Sequence, residues 1–496
     1  MVKATLRSAV LLGLLAWSVP SFAEVQNVKV GGQVNVRTFL RKSLRLSDDV
    51  TNTTGGNTTA VTNATGLGAS GDDFIQQLSA VNVGADLTEN VSTQIRLINQ
   101  RVWGALNSDA DDTGTDADSN QIDLSLANVT MKELFYSPLT VTIGRQRLWY
   151  GRGFIVGSRL FHGDIDPEGN LAADEYSDLQ HGFDAIRSTL DLSGVAGGIP
   201  LTLDAVYARL NENDVSISST TDSSADDRNL FGLNVGTRFD QWNGEAEAYF
   251  FKNRDDDLGV GGGGTLDTNP QSNTMGLRGS VSPADGASVW GELAYQWGRR
   301  LISGSSLDAE GAAGDDYQAW AFDLGLDWTA KDVAWSPTIG GEWIFFAGDE
   351  GNANAIGGWE PVYRGRFTSI LREYQGSPLY NPAQSGATVG GVTYNTITNS
   401  YTNQHELALH ATVKPIEDLS VDNRLMWFVA DEGIVVVPGA KREGLFGTEW
   451  DVVANYNYTD DVQIGLTYAL LNPGSVFRTP FDDTAQQLTT SVNVSF

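Results

Sequence analysis

The sequence predicts an all-β protein, a transmembrane antiparallel β-barrel of about 18 strands with long loops at one rim and short turns at the other. Three observations lead there. Apolar and polar side chains alternate with a period of two in segment after segment of the chain. The connections between these segments are short and long in turn. The same alternation runs through residues 487–496 (QLTTSVNVSF) and stops on Phe496.

That last segment places Leu488, Val492, Val494 and Phe496 on one face and Gln487, Thr489, Ser491, Asn493 and Ser495 on the other. A period of two marks a strand with one apolar and one wet face. The ends of soluble domains usually fray. The last strand of a closed barrel instead pairs with the first, so that no edge is left. Its expected partner is the segment from Val28 to Arg41, with Phe496 turned toward lipid.

Residues 1–23 read as a secretory signal peptide. Lys3 and Arg7 precede an apolar run over 9–19, and Ser21, Phe22 and Ala23 form a small-x-small cleavage site. The rest, 24–496, is read as one barrel domain. No later run is apolar for long enough to be a membrane-spanning helix. Cys is absent, which excludes a disulfide framework. The 13 Trp, 15 Tyr and 20 Phe suit aromatic girdles at the two membrane interfaces. A formal net charge of −30 excludes a general nucleic-acid binder.

Candidate strands begin near Val28, Asp73, Val91, Ile122, Leu139, Gly182, Leu201, Leu230, Trp242, Asn273, Ser288, Ala319, Trp335, Asn403, Leu419, Gly444, Val462 and Thr484. Short turns fall at 88–90, 137–138, 240–241, 283–286, 331–333, 415–418 and 459–461, with a longer one at 193–200. Between them lie long loops at 46–72, 106–121, 150–180, 211–228, 253–272, 299–316, 348–402, 432–443 and 472–483. This regular alternation is the barrel pattern, and it places both termini in the periplasm. A soluble β-sandwich has no reason to lengthen every second connection.

The faces can be assigned strand by strand. Trp320, Phe322, Leu324, Leu326 and Trp328 share one face, and Asp323, Gly325 and Asp327 share the other. Such a large apolar face is an aggregation hazard in water but fits lipid, with Trp at both ends as interface anchors. Val462, Ile464, Leu466, Tyr468 and Leu470 repeat the pattern against Gln463, Gly465 and Thr467. In the first strand Val28, Val30, Val34 and Val36 point outward, and Lys29, Gln33, Asn35, Arg37 and Arg41 inward.

Inward positions collect cations at Lys29, Arg37, Arg41, Arg96, Arg238, Arg278 and Arg424. They collect anions at Asp204, Glu245, Glu247, Glu292, Asp323, Asp327, Glu342, Glu406, Asp422, Glu449 and Asp451. Opposed charges on a wall steer charged solutes; they also pair with one another and stiffen the wall. The segment 140–159 (TVTIGRQRLWYGRGFIVGSR) gathers Arg145, Arg147, Arg152 and Arg159 among Trp149, Tyr150 and Phe154. Guanidinium forks suit carboxylates and phosphates. Strict alternation sets Arg145 on the face of Val141 and Ile143, toward lipid. A bulge at Gly144 would turn it inward; otherwise these arginines stand at the outer end of the strand. Loops 150–180 and 348–402, the second with Trp359, Arg364, Arg366 and Arg372, are the candidates to fold inward and control entry.

Other motifs carry no chemistry. Asp109, Asp111, Thr113 and Gly114 mimic the start of a calcium loop, but the twelfth position is Asn120 in place of Glu. The run 261–264 is glycine without the following Gly-Lys-Ser/Thr of a phosphate loop. His162, His181, His405 and His410 lack metal-ligand spacing. No catalytic residue, metal or cofactor is expected.

Two segments resemble the alginate export family of outer-membrane barrels. One is 139–151 (LTVTIGRQRLWYG), which is similar to the family's Gly-Arg-Gln strand and tyrosine-glycine turn. The other is 444–474 (GLFGTEWDVVANYNYTDDVQIGLTYALLNPG), which is similar to its Gly-Thr-Glu-x-Asp strand, short turn and outgoing strand ending in Pro-Gly. The terminal Phe496 strand also resembles the assembly signal of outer-membrane barrels. The resemblance implies a monomeric barrel of about 18 strands that passes a polyanionic sugar along an arginine-rich channel. It makes Arg145 a constriction candidate and Glu449 and Asp451 its inward partners. One feature runs against alginate itself, since the inward positions hold more acids than bases. The expectation is therefore an outer-membrane channel for hydrophilic anions, either an acidic polysaccharide or small carboxylates. A general diffusion porin and a loop-plugged structural or adhesive barrel are the alternatives. Its partners are outer-membrane lipid, the barrel-assembly machinery through the Phe496 strand, and the anionic solute.

Overall fold

The computed structural model describes residues 26–43, 51–54, 57–60, 73–103, 122–157, 182–211, 228–255, 271–300, 315–348, 355–356, 358–359, 363–372, 388–389, 392–393, 403–437, 440–477 and 482–496. The signal segment 1–23, the acidic runs 109–118 and 222–227, Arg159, His162 and His181 lie outside them.

Eighteen antiparallel strands close into one barrel. They are β1 (Gln26–Lys42), β2 (Asp73–Thr88), β3 (Val91–Val102), β4 (Asp123–Met131), β5 (Leu139–Gln146), β6 (Phe183–Asp191), β7 (Leu201–Asn211), β8 (Arg228–Phe239) and β9 (Gly244–Asp255). The circuit continues through β10 (Gln271–Val281), β11 (Ala287–Arg300), β12 (Asp315–Thr329), β13 (Thr338–Phe346), β14 (Gln404–Ile416), β15 (Leu419–Ala430), β16 (Leu445–Asn457), β17 (Val462–Pro473) and β18 (Ala485–Ser495). Each strand pairs with its neighbours in sequence. β18 completes the circuit on β1, in register from Gln33 opposite Ser495 to Lys42 opposite Gln486. The Phe496 carbonyl accepts the Gly32 N–H at 2.8 Å, and the Phe496 N–H donates to the Gly32 carbonyl at 3.1 Å, so the pairing continues to the final residue.

The short connections share one rim, where the described ends of the chain also lie. Two expected strand starts fall inside these turns. Trp242 (φ 60°) and Trp335 (φ 70°) take left-handed backbone conformations, which break an extended strand, and the ladders begin instead at Gly244 and Thr338.

Burial follows parity. Trp320, Leu324, Leu326 and Trp328 are about half exposed on the outside, while Asp323 on the same strand is fully buried. With lipid outside, this is a low-energy arrangement. At the long-loop rim Phe250, Trp297, Tyr295 and Trp320 follow one another, with ring centroids 6.0, 5.7 and 4.4 Å apart. Exposed Trp242, Trp328, Trp335 and Tyr458 mark the other rim. The apolar band lies between these aromatic levels.

The lumen is occupied on one side. Segments 146–157 and 363–372 leave the long-loop rim and lie against the inner faces of β6 to β16. They meet along their backbones: the Tyr363 N–H donates to Ile155 at 2.9 Å, Gly157 to Tyr363 at 2.7 Å, and Gly365 to Gly153 at 2.8 Å. A side chain at Gly365 would run into the backbone of Gly157. Leu148, Tyr150, Phe154, Ile155, Val156, Trp359 and Tyr363 join wall residues such as Phe183, Phe251, Ile344 and Phe346 in an apolar core inside the barrel.

The lipid-face assignment is testable by substitution. Leu324→Arg is expected to lower the folding stability in vesicles by about 2–4 kcal/mol, read from denaturant titration. Asn493→Arg, on the inner face, is expected to change it by less than about 1 kcal/mol.

Candidate functional site: the inner wall and its inserted segments

The cations predicted to face the lumen fall into two groups. On β1 and β3, Arg37 Nε donates to Asn35 Oδ1 at 3.4 Å, Arg41 Nε to Gln487 Oε1 at 2.9 Å, and Arg96 Nη2 to Gln33 Oε1 at 3.3 Å. Arg41 also lies 5.0 and 4.9 Å from the rings of Phe39 and Phe74, which stack at 4.7 Å. In these three bonds the acceptors are neutral amides, which orient the guanidinium groups. Lys29 is exposed at the short-turn rim. Arg147, just past β5, is exposed and near enough to Arg96 for the two charges to repel. On the inward faces of β17, β18 and β1 to β5, Lys29, Arg37, Arg41 and Arg96 share the wall with two carboxylates, Asp86 and Asp123, among the described residues.

The second group is paired with acid. Arg238 is 79 % exposed near the short-turn rim and meets Glu245 at 3.1 Å. Arg278 bridges Glu245 at 3.3 Å and Glu247 at 2.5 Å. Arg187, which the sequence reading did not single out, meets Asp204 at 2.6 Å; its alternation with outward Ile186 was the signal available. Arg424 donates from Nη2 to Asp422 at 3.2 Å and from Nη1 to the Thr368 carbonyl at 2.8 Å, so it touches the inserted segment.

Four charges form the centre of the acidic wall. Arg366 donates from Nη1 to Asp323 Oδ2 at 2.8 Å and from Nη2 to Glu342 Oε1 at 2.6 Å. Arg152 reaches the same two oxygens at 3.2 and 3.3 Å. Its guanidinium lies 4.2 Å from the Trp290 ring, and Trp290 Nε1 donates to Asp323 Oδ1 at 3.2 Å. Trp290 fits there because Gly325 on β12 has no side chain to collide with the indole. Burial, and after it the Arg366 charge, holds the Arg152 guanidinium below its usual value. For Arg366 burial acts the same way but is outweighed by Glu342 and Asp323, which hold it above. Both remain cations.

Glu449 and Asp451 face inward, and their oxygens hold backbone. Glu449 accepts the N–H groups of Ile370, Leu371 and Arg372 at 2.9, 2.7 and 2.9 Å, and Asp451 accepts Ile370 at 3.2 Å. Glu406 accepts the Thr368 hydroxyl. Glu292 accepts the Tyr249 hydroxyl at 2.8 Å and the Arg152 N–H at 3.3 Å. The excess of inward acid is therefore directed at the inserted segments.

Arg145 corrects the sequence reading. Pairing passes through Gly144 without a register shift on either side. The irregularity lies one strand earlier, at the buried Ser125 of β4. Arg145 accordingly keeps the outward face of Ile143 and Ile186. There it makes a bidentate pair with Asp184, at 2.8 Å from both Nε and Nη2, and donates from Nη1 to the Leu124 carbonyl at 2.9 Å. It is not a constriction residue, and Glu449 and Asp451 are not its partners.

The sequence model of alginate export matches residues 58–491. The chain belongs to the alginate export family. It is an integral outer-membrane barrel of the channel class. Among solved structures, OpdK of Pseudomonas aeruginosa is 11% identical with a TM-score of 0.49, over 95% of this chain and 99% of that one. OpdQ of the same organism is 12% identical with a TM-score of 0.48, over 95% and 98%. OmpF of Salmonella typhi, in complex with daunomycin, is 11% identical with a TM-score of 0.40, over 95% and 97%. No curated protein matches the sequence.

For this member of the family, Arg145→Ala is expected to leave ion selectivity unchanged, because the residue faces away from the lumen. It is expected to lower stability by about 1–3 kcal/mol through loss of the charged pair. Reversal potentials and thermal unfolding, measured on the same variant, check both statements.

Proposed function

We propose that this barrel passively conducts hydrophilic anions, an acidic polysaccharide or small carboxylates, without catalysis. The observation that carries the reading is the division of the inner wall. Glu247, Glu292, Asp323, Glu342, Glu406, Glu449 and Asp451 are engaged by the inserted segments, whereas the face from β17 to β5 carries Lys29, Arg37 and Arg96, with Arg41 buried beside them. A solute moving past the inserted segments meets that basic face. Basic side chains spread along one face make many weak contacts and no tight site, as conduction requires. The excess of acid that spoke against a polyanion is thereby accounted for.

The remaining assignments follow from this role. Residues 1–23 direct export and are removed. The short-turn rim, with both chain ends, faces the periplasm. The Phe496 strand is what the assembly machinery engages, and the barrel works as a monomer. A second reading, a plugged structural barrel, is favoured by the hydrogen bonds that join the two inserted segments.

The mature chain is expected to begin at Glu24, as N-terminal sequencing would show. In a planar bilayer under a salt gradient the channel is expected to prefer anions, and Arg37→Gln with Arg96→Gln to weaken that preference. An unchanged reversal potential in the double variant removes the basic-face reading. Absence of steady conductance supports the plugged barrel.

A further inference from the structure

The outer wall of the barrel carries charge where it turns to lipid. From β5 to β9, Arg145, Asp184, Arg209, Asn229 and Arg254 stand opposite one another on successive strands. Residues directly opposite on neighbouring strands share a face, so the whole row points outward with Arg145. It lies at the long-loop ends of these strands. One rung nearer the membrane centre the same faces carry Ile143, Ile186, Tyr207, Phe231 and Lys252. The Tyr207 and Phe231 rings lie 5.1 Å apart, and the Tyr207 hydroxyl donates to Asn229 Oδ1 at 2.9 Å. The border between polar rim and apolar band runs between these two rungs.

Asp184 is held by Arg145 in the bidentate pair at 2.8 Å. It is the one carboxylate on the outward faces of β5 to β10 among the described residues, against the cations Arg145, Arg209, Lys252 and Arg254. Asp123, at the end of β4, lies near Arg145 but on the inward parity. Arg254 is exposed, whereas Lys252 is half-buried between its neighbours Phe231 and Asn273. The Lys252 ammonium has no hydrogen-bond or ion-pair partner among the described residues. A lone cation on a lipid face is costly unless its long stem carries the head to the interface and an anion meets it there. The charge is also one-sided. In the long-loop halves of β13 to β18 the outward positions hold no Lys or Arg among the described residues; Trp343, Leu407 and Trp450 stand there.

We propose that this row is a docking surface for a phosphorylated glycolipid of the surrounding leaflet, with Arg209, Lys252 and Arg254 as its phosphate contacts and the Arg145–Asp184 pair as its fixed edge. Guanidinium and ammonium groups are the side chains that bind phosphate through charge-assisted hydrogen bonds. Neighbouring strands lie about 4.8 Å apart, so Arg209 and Arg254, two strands apart, are separated by about 10 Å at the backbone. That spread suits a headgroup with phosphates at both ends of a sugar frame better than a single phosphodiester. The apolar rung beneath it receives the acyl chains. With the short-turn rim toward the periplasm, the row stands in the outer leaflet. If the cations are instead simply solvated at the rim, phosphate on the lipid makes no difference to its binding.

The test uses the folded full chain in detergent micelles, with bound lipid read by native mass spectrometry. Heat-dependent migration in detergent gels establishes that each barrel is folded. The probes are diphosphorylated lipid A, its dephosphorylated form, and phosphatidylglycerol. The wild type is expected to retain the diphosphorylated form more strongly than either of the others. Lys252→Gln with Arg254→Gln is expected to lower that retention about tenfold, as the loss of a hydrogen bond between charged groups does. Arg238→Gln with Lys331→Gln removes the same charge at the short-turn rim and is expected to leave retention unchanged. The inference is overturned if the Lys252 and Arg254 variant retains lipid A as the wild type does. Equal loss in both pairs also overturns it, since diffuse attraction to the whole protein would then suffice. Equal retention of dephosphorylated lipid A assigns the binding to apolar contacts, and equal retention of phosphatidylglycerol assigns it to any anionic lipid; either result sinks the proposal. None of these readouts involves conductance, so failure of the proposed channel role and failure of this inference are told apart.

Discussion

The interior of a bilayer offers no water to a peptide N–H or C=O, so each strand of this chain needs two neighbours. Closure of β18 on β1 is where that requirement is met last, and the pairing of Phe496 with Gly32 extends it to the end of the chain. Everything else follows from the closed ladder. A strand with two paired edges has only two faces left, one toward lipid and one toward the lumen. The alternation of β12, with Trp320, Leu324, Leu326 and Trp328 outside and Asp323 inside, is the consequence.

The inside of the barrel obeys a second constraint. A carboxylate removed from water must find donors or cations, and one left without them is costly. β9 to β16 place several carboxylates on adjacent inner faces, more than the wall's own Arg278 and Arg424 can serve. The chain meets the need by bending two long connections inward. Arg152 and Arg366 supply charge, and the backbone of 370–372 supplies N–H groups. The acid thus seats the loops, and the loops cover the acid. Among the described residues, the inner face from β17 to β5 carries fewer carboxylates, Asp86 and Asp123, beside its amides and arginines.

Much of this was legible in the primary structure because the barrel is a local code. Parity assigns each side chain of a strand to a face without reference to any other strand. The inward positions of Arg37, Arg41, Arg96, Glu449 and Asp451 could be read that way. Arg145 tested the rule. Parity set it outward, the family resemblance suggested a constriction, and the structure follows parity because the register passes through Gly144 unbroken. Trp242 and Trp335 were misread as strand starts, since a left-handed turn leaves no mark in an alternation of apolar and polar residues.

The alternation, the connection lengths and the terminal strand were sufficient for the fold, the membrane and the two faces, because each depends on period-two geometry along a single strand. What the tertiary structure decided is which charges remain available to a solute. Arg152 lies 171 residues before Asp323 in the chain, and Arg366 lies 43 after it, yet the three meet within hydrogen-bonding distance. Loops have no periodicity that fixes where their side chains point, and a count of inward acids and bases cannot tell which are already neutralised. That balance is a property of contacts across the lumen, and it becomes visible only once the barrel is closed and its loops are inside.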